Sequence, residues 1–325
     1  MLSARSLAAL SGTRLLSVFY HTCFEVPPPY FSGMYSVRTP QQFEADIDQL
    51  LSEFTPVGLS DLLAAKHIED LPPRSFFLSF DDGYREVAET VAPILSRKGV
   101  PATLFVCSDF IDNRSWFFED QVALVRHRLQ GRPDSVHKAV ATVLERYGQT
   151  VDSLGAARIA VPEALADVAA ILEFDWQVEL RSFLPYVTTS QVHSLIRHGF
   201  SIGAHGTDHT HFHLLSVEEQ LQQIRESCTT IAAQFGLSYR VLSFPYGEYT
   251  ISADVLRAVR DQGIANALFG TRGLIQDELY PFIHHRLCCE SPSRSLSSHI
   301  RGHLAERVLR RWRHKDCVIR QIAHA

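Results

Sequence analysis

SFFLSFDDGYREVAETVAPILSRKGVPATLFVC (residues 75–107) consists of two short apolar runs separated by a longer amphipathic stretch. The runs at 75–80 and 101–107 have the length of buried strands, and the stretch at 86–99 ends at a glycine, as helices commonly do. A strand, a helix and a second strand in this order are typical of a β/α unit with parallel strands. We therefore expect an α/β protein built around a parallel sheet or barrel.

The same alternation recurs on both sides of this unit and sets the domain boundaries. Further strand-like and helix-like stretches stand at 15–20, 40–54, 188–199, 200–205, 216–236, 240–247 and 252–263. Residues 113–183 are rich in Ala, Leu, Val, Arg and Glu and predict a helical insertion. We thus expect an N-terminal tail at 1–14, one domain at 15–300 that includes the insertion, and a basic helix or tail at 301–325.

Composition narrows the classes of function. A formal charge of −5 over 325 residues gives no reason to expect nucleic-acid binding. The six cysteines contain no CxxC pair and are expected to be mostly reduced. The apolar run at 7–10 is too short for a secretory signal and no stretch is long enough to span a membrane, so we expect a cytoplasmic protein.

The basic character of the C-terminal segment leaves two interpretations. Residues 301–320 contain seven basic and two acidic side chains. Such a run is either a solvated helix face or a contact with an anionic membrane or partner.

Two adjacent carboxylates, Asp81 and Asp82, end the apolar run at 75–80. Like charges repel, and neither can be buried at low cost without a partner. Gly83 ends the strand there, and strand ends of parallel α/β proteins form the ligand-facing rim. Taken alone, DDG is a common turn and is more often only that; a cation beside the pair is the functional interpretation.

A histidine cluster follows another predicted strand, in IGAHGTDHTHFH (202–213). His205 and His209 stand four residues apart and can present both ring nitrogens to one ion, although surface histidines give the same pattern. One carboxylate with two imidazoles is a ligand set for catalytic zinc that leaves a position open for water.

Three other stretches carry weaker signals. In LSFPYGEY (242–249), Pro245 ends a strand and Gly247 permits a tight turn, which leaves backbone N–H groups free to meet a ligand. His21, in SVFYHTC, follows the first predicted strand. Aromatic residues at 116–118 pack in a core or stack on sugar rings.

In this order, FFLSFDDGYREVAETVAPILSRKGVPATLFV, GFSIGAHGTDHTHFHLLS and FPYGEY resemble the NodB-homology polysaccharide deacetylases of carbohydrate esterase family four. The resemblance covers about 15–286, apart from the insertion. It implies a distorted (β/α) barrel and a metal-dependent hydrolysis of acetyl groups, usually N-acetyl, on an acetylated carbohydrate. The metal is expected to be divalent, with Zn²⁺ favoured; cobalt, nickel and iron also suit the ligands.

The resemblance also implies roles for particular residues. Asp81 matches the catalytic base, and the metal ligands match Asp82, His205 and His209. Tyr246, next to Pro245, matches the residue whose backbone N–H helps to hold the oxyanion.

Two departures from the family pattern concern the remaining groups. Ser243 stands where the family has an arginine, and a late LxH motif for the acid histidine is missing. Tyr20-His21 is similar to the early YH block of poly-N-acetylglucosamine deacetylases, so His21 is the expected acid. Arg286, in HHRLCC, is expected to supply the missing cation on the substrate and oxyanion side, with His284 and His285 as competing acids.

Other functions remain open at this stage. A glycan-binding relative without catalysis is one alternative. A deacetylase of a small-molecule amide, a lipid-linked sugar or an O-acetyl ester is another. The sequence leaves the oligomeric state undetermined.

Overall fold

A computed structural model describes residues 3–154, 161–249, 251–291 and 293–320. Its strands are β1 (Leu15–Tyr20), β2 (Thr55–Val57), β3 (Ser75–Phe80), β4 (Thr103–Val106), β5 (Ser201–Ala204), β6 (Val241–Ser243), β7 (Ala267–Gly270), β8 (Gln276–Asp277), β9 (Ile283–His285), β10 (Leu287–Cys288) and β11 (Cys317–Val318).

The helices are α1 (Ala4–Ser11), α2 (Pro40–Glu53), α3 (Leu59–Ala64), α4 (Ala92–Lys98), α5 (Phe118–Leu129), α6 (Asp134–Arg146), α7 (Val151–Leu154), α8 (Pro162–Ile171), α9 (Trp176–Phe183), α10 (Thr189–Arg197), α11 (Val217–Phe235), α12 (Ala253–Asp261) and α13 (Leu296–Trp312). No helix within the described ranges is both long and apolar enough to cross a bilayer.

The main sheet is parallel and nearly closes on itself. Its strand path runs β10-β1-β3-β4-β5-β6-β7-β9, and β2 adds to β3. The two ends of the path, β9 and β10, are consecutive in the chain and are separated only by Arg286. This arrangement is a distorted (β/α) barrel, as the sequence predicts.

Both faces of the central strands are buried, which explains their continuous apolar sequences. Along β3, Phe77 belongs to the interior cluster of the barrel and stacks on Phe269, with ring centroids 5.3 Å apart. Leu78 and Phe80 face the other way and join the layer between strands and helices. Side chains alternate between the two faces of a strand, so Asp81 points to the same side as Phe77, towards the inside of the barrel.

Helix boundaries follow local capping signals. Thr39 caps α2 in a capping box with Gln42, and Pro40 occupies the first turn. Ser216 and Glu219 form the same box at the start of α11. These signals fix where the helices that pack outside the barrel begin.

The insertion forms a separate helical layer. Residues 118–154 and 161–183 contain α5 to α9, and their cluster is built from Val122, Val125, Leu144, Leu165 and Val168 among others. Residues 155–160 of the predicted insertion lie outside the described residues.

The predicted tail at 1–14 is wrong for most of its length. Ser3 caps α1, and Ala4 and Ala8 are buried. Helix α1 packs against α13, a partner almost 300 residues away in sequence, which a short apolar run does not reveal.

The boundary at 301 also needs correction. Helix α13 begins at Leu296, where Ser295 caps it, so 301 falls inside the helix. Cys317 and Val318 then pair with β8, which ties the segment to the domain. Residues 321–325 of the predicted segment lie outside the described residues.

Candidate metal and acyl-transfer site

The site is formed where four parallel strands end. His21 follows β1, Asp81 and Asp82 follow β3, His205 follows β5, and Tyr246 lies three residues beyond β6. Carboxyl ends of parallel strands meet at one rim, so residues far apart in sequence become neighbours there.

Asp82, His205 and His209 converge on one point. The Nε2 atoms of His205 and His209 lie 3.2 and 3.5 Å from Oδ1 of Asp82. Potential ligand atoms of all three side chains lie within 4.8 Å of one another. Three ligands from two loops around one point form the open-sided set that a catalytic metal requires.

The hydrogen bonding and protonation of these three side chains suit the binding of a divalent cation. Asp82 Oδ1 is buried and accepts no hydrogen bond from the described residues. The Nδ1 of His205 lies 2.9 Å from the carbonyl oxygen of Ser243, to which it donates as Nδ1–H, and its Nε2 is then a lone-pair donor. Burial lowers the pKa of His209 to about 3, which keeps the ring in the neutral form that binds metal.

Unusual backbone conformations collect at the same loops. Asp82, His209 and Tyr246 all have left-handed backbones, with φ of 73°, 61° and 57°. Non-glycine residues adopt this region at a cost that the surrounding structure must offset. Six other non-glycine residues of the described ranges share this conformation elsewhere, so part of the backbone strain lies in the loops of the site.

Asp81 lies beside this cluster but has different partners. Its Oδ1 and Oδ2 each accept a hydrogen bond of 2.8 Å from the guanidinium of Arg286, and Ser243 Oγ lies 3.1 Å from Oδ2. Burial favours the neutral acid, but the Arg286 charge overcomes it and lowers the pKa of Asp81 below its ordinary value. Asp81 is thus held ionised and oriented.

The position of Arg286 corrects one expectation. The sequence placed it on the substrate and oxyanion side, whereas its side chain is fully buried inside the barrel. Its guanidinium lies over the rings of Phe19 and Phe105 and contacts Ser79 Oγ at 2.9 Å. Arg286 is thus closed off from a substrate, and it is the cation that pairs with Asp81. The small Ser243 leaves space for it.

His21 faces the same cluster from the end of β1. Its Nε2 lies 4.0 Å from Asp82 Oδ2. Its Nδ1 lies 2.7 Å from Glu290 Oε2, and Glu290 Oε1 accepts from the His21 backbone N–H at 2.7 Å. Burial disfavours the charged ring, yet Glu290 and Asp82 raise the pKa of His21 above its ordinary value.

Sequence reasoning missed Glu290. It follows Cys288 and Cys289 in a stretch with no motif, and it stands 269 positions from His21. Only the pairing of β10 with β1 brings the two together.

The competing acids lie elsewhere. His285 is buried between Asp277 Oδ2 at 2.8 Å and Glu248 Oε1 at 3.4 Å. His284 is also buried and stacks on Phe269, with centroids 5.4 Å apart. Neither is brought to the cluster of Asp82.

Tyr246 and Pro245 form the edge of the site. Pro245 is buried beside Gly206, the residue after His205. The ring of Tyr246 is 45% exposed and stacks on His211 with centroids 3.5 Å apart, while its hydroxyl donates to Glu119 of α5. The described part of the chain provides no acceptor for the Tyr246 backbone N–H.

A cleft of about 670 Å³ opens beside the site between barrel and insertion. His209 and Tyr246 line it from the barrel, and Trp116, Glu119 and Trp176 line it from the insertion. Trp116 and Phe117 are themselves largely buried, and the Phe117 ring lies 4.2 Å from that of His209. The aromatic stretch at 116–118 therefore packs in a core while it borders the cleft.

Comparison with known proteins agrees with this geometry. A sequence model described as polysaccharide deacetylase matches residues 69–267. None of the curated protein sequences is significantly similar to the chain.

Three solved structures share the fold at low sequence identity. The deacetylase PplD of Streptococcus pyogenes has a TM-score of 0.58 at 13% identity, covering 89% of this chain and 97% of that one. IcaB from Ammonifex degensii has 0.56 at 15%, covering 89% and 96%. A de-N-acetylase from Aggregatibacter actinomycetemcomitans has 0.52 at 16%, covering 84% and 94%.

The family match spans more than half of the chain. The protein therefore belongs to the polysaccharide deacetylase family. It is an enzyme of that class, and the rim described above is its candidate active site.

Proposed function

We propose that the protein hydrolyses acetyl amides of a glycan by a metal-assisted mechanism. Asp82, His205 and His209 would hold a divalent cation, with Zn²⁺ the best match to two imidazoles and one carboxylate. Asp81 acts as the general base, and His21 acts as the general acid. The observation that carries the proposal is the buried Oδ1 of Asp82, which accepts no hydrogen bond from the described part of the chain and faces two imidazole nitrogens, beside a second carboxylate whose two oxygens both accept from Arg286.

A cation held by Asp82, His205 and His209 would supply Lewis-acid chemistry: it would lower the pKa of a water molecule and polarise the acyl oxygen of the substrate. The ligand residues keep the set in its binding form. The hydrogen bond from His205 to the Ser243 carbonyl fixes the ring tautomer. The left-handed backbones of Asp82 and His209 turn their side chains inward.

Asp81 is suited to take a proton from the attacking water. Arg286 keeps it ionised and holds both of its oxygens in a bidentate grip. Oδ2 accepts from both Arg286 and Ser243, whereas Oδ1 accepts from Arg286 alone among the described residues and so retains a lone pair for a proton.

His21 is suited to protonate the departing amine, which an amide nitrogen needs in order to leave. Glu290 accepts from Nδ1 and so directs Nε2, as a donor, towards the cluster. The free backbone N–H of Tyr246 is a candidate donor to the oxyanion, a contact that contributes about 3 kcal/mol in other acyl-transfer enzymes.

The substrate is proposed to be an N-acetylated glycan rather than a small amide or an ester. The cleft supports this choice, since about 670 Å³ exceeds the space that one acetyl group needs. A pure glycan binder is a weaker proposal, because binding gives no role to a paired and oriented base beside the ligand set.

Asp81→Asn tests the proposal most directly. We expect the variant to keep its metal and to lose about 10²- to 10⁴-fold in turnover, because the amide cannot accept the proton. Metal content by elemental analysis and acetate release from N-acetylated chito-oligosaccharides measure the two quantities.

Asp261→Asn is the matched control, since Asp261 is an exposed carboxylate at the end of α12. It should leave both quantities unchanged. Robust acetate release by metal-loaded Asp81→Asn would rule out the base role, and release from acetyl esters but not from amides would move the substrate class to O-acetyl sugars.

A further inference from the structure

The C-terminal end of α13 exposes apolar side chains that the proposed activity does not use. Leu309 and Trp312 are 55% and 77% exposed, and Ile319 beyond the helix is 73% exposed. Leu309 and Trp312 are three residues apart and share a helix face. That face lies opposite Leu296, Ile300 and Leu304, which α13 buries in the core. We name Leu309, Trp312, Arg313, Lys315 and Ile319 the terminal patch.

The chain segment that carries most of the terminal patch has a net charge opposite in sign to that of the whole chain. Residues 305–316 contain five basic and two acidic side chains, although the chain carries −5 overall. One of the two acidic residues, Glu306, already pairs with Arg310. Arg313 and Lys315 are exposed beside Trp312. Apolar and cationic side chains are therefore both exposed along residues 309–319.

The terminal patch lies at the end of the barrel away from the candidate active site. The guanidinium of Arg311 lies so close to Gly12 that a β-carbon on Gly12 would overlap it. Gly12 comes shortly before β1, at the amino-terminal end of the strands, whereas Asp82 follows the carboxyl end of β3. Helix α13 thus runs from the rim of the site to the opposite end.

We infer that the terminal patch docks the protein on an anionic lipid bilayer. Tryptophan and leucine enter the headgroup region, and each Lys or Arg near an anionic surface adds about 1 kcal/mol of attraction. A second copy of the chain is a poorer occupant, since a two-fold contact would bring the same cationic groups together. Docking by this end leaves the cleft facing away from the bilayer.

Vesicle co-sedimentation of the full chain tests the inference, with no need for deacetylase activity. We expect binding to phosphatidylcholine vesicles that contain phosphatidylglycerol, little binding to phosphatidylcholine alone, and release at high salt. Trp312→Ser and the double variant Arg313→Glu/Lys315→Glu should each bind about tenfold or more weakly.

Val217→Ser and Lys138→Glu are the matched controls, because both side chains are exposed on other helices. They should bind as the unchanged chain does. All variants should keep their thermal midpoint and their acetate release from soluble substrate, so a failure of the proposed activity is seen separately.

Three outcomes would overturn the inference. One is the absence of binding to the anionic vesicles. Another is equal binding to both kinds of vesicle. The third is a dimer in solution that Trp312→Ser dissociates, which would assign the terminal patch to a second copy.

Discussion

Two buried clusters of histidine and carboxylate differ in how completely their polar atoms are paired. In the first, Asp82 Oδ1 faces His205 and His209 without a hydrogen-bond donor among the described residues. In the second, Asp277 Oδ2 meets His285 at 2.8 Å and Arg320 at 2.7 Å. The same residue types thus leave one carboxylate oxygen without a donor from the described ranges in the first cluster, whereas both oxygens of Asp277 accept hydrogen bonds in the second. Incomplete pairing, rather than composition, distinguishes the candidate active site.

Asp82→Asn should have the largest effect on the open cluster. The amide keeps the shape but removes the charge that a divalent cation needs, so we expect loss of bound metal and turnover at background level. Elemental analysis and acetate release measure this. Asp277→Asn, the equivalent change in the paired cluster, should keep the metal; if it lost metal equally, the contrast between the clusters would be wrong.

Arg286→Met should have the next largest effect, on stability. Removing one partner of a buried ion pair leaves Asp81 charged and unpaired, which costs about 3–5 kcal/mol in the free energy of unfolding. Urea unfolding measures it. The double variant Asp81→Asn/Arg286→Met should recover part of the loss, and additive losses in the double-mutant cycle would show that the two residues do not interact.

His21→Gln should lower amide hydrolysis by about 100-fold, because the leaving nitrogen then lacks its proton donor. Activated acetyl esters need no such proton and should be much less affected. Parallel rate measurements on both substrates with metal-loaded protein make the comparison. Equal losses on amide and ester would assign His21 a role in binding or structure instead.

Asp277→Asn should have the smallest effect, confined to stability. Burial opposes ionisation of Asp277, but His285 and Arg320 lower its pKa from 3.8 to about 2. Because the pKa of Asp277 is lower in the folded protein than in the unfolded chain, its ionised form stabilises the fold at pH values above the ordinary pKa. This stabilisation is lost as the pH falls towards the folded-state pKa. The contribution is about 2 kcal/mol and should vanish between about pH 4 and pH 2.

Urea unfolding of both proteins across this pH range checks the sign. The unchanged chain should be the more stable one at pH 7, and the two curves should approach each other in acid. A gap that widened as the pH fell would contradict the assignment.

Most of the strands and helices that build the fold could be predicted from the local sequence. The apolar runs at 15–20 and 75–80 coincide with β1 and β3, and α2 stops one residue short of the predicted stretch at 40–54. These elements carry their own signals in periodicity, caps and glycine stops. Helix α1 carries the same local signals, with Ser3 as its cap and Gly12 at its end, but its burial depends on α13, which its short apolar run does not reveal.

The site residues that could be predicted from the sequence are those that follow the end of a strand within a motif. Asp81, Asp82, His205 and His209 all stand in such positions, and the structure brings them together. The sequence identified Arg286 as a functional residue but assigned it to the substrate side. The stretch HHRLCC does not indicate whether a side chain between β9 and β10, where the barrel closes, points inwards or outwards. Asp81, the partner of Arg286, is 205 residues away.

The closure of the barrel between β9 and β10 limits how the chain can be divided into fragments for expression. The segment that matches the family model, 69–267, carries Asp81 and all three ligand residues. It omits His21 before it, and Arg286 and Glu290 after it. A fragment trimmed to that match would lose the strands that complete the barrel wall, together with Arg286, the counter-ion of Asp81, and His21, the proposed proton donor. Expression boundaries for this enzyme should therefore enclose both ends of the barrel.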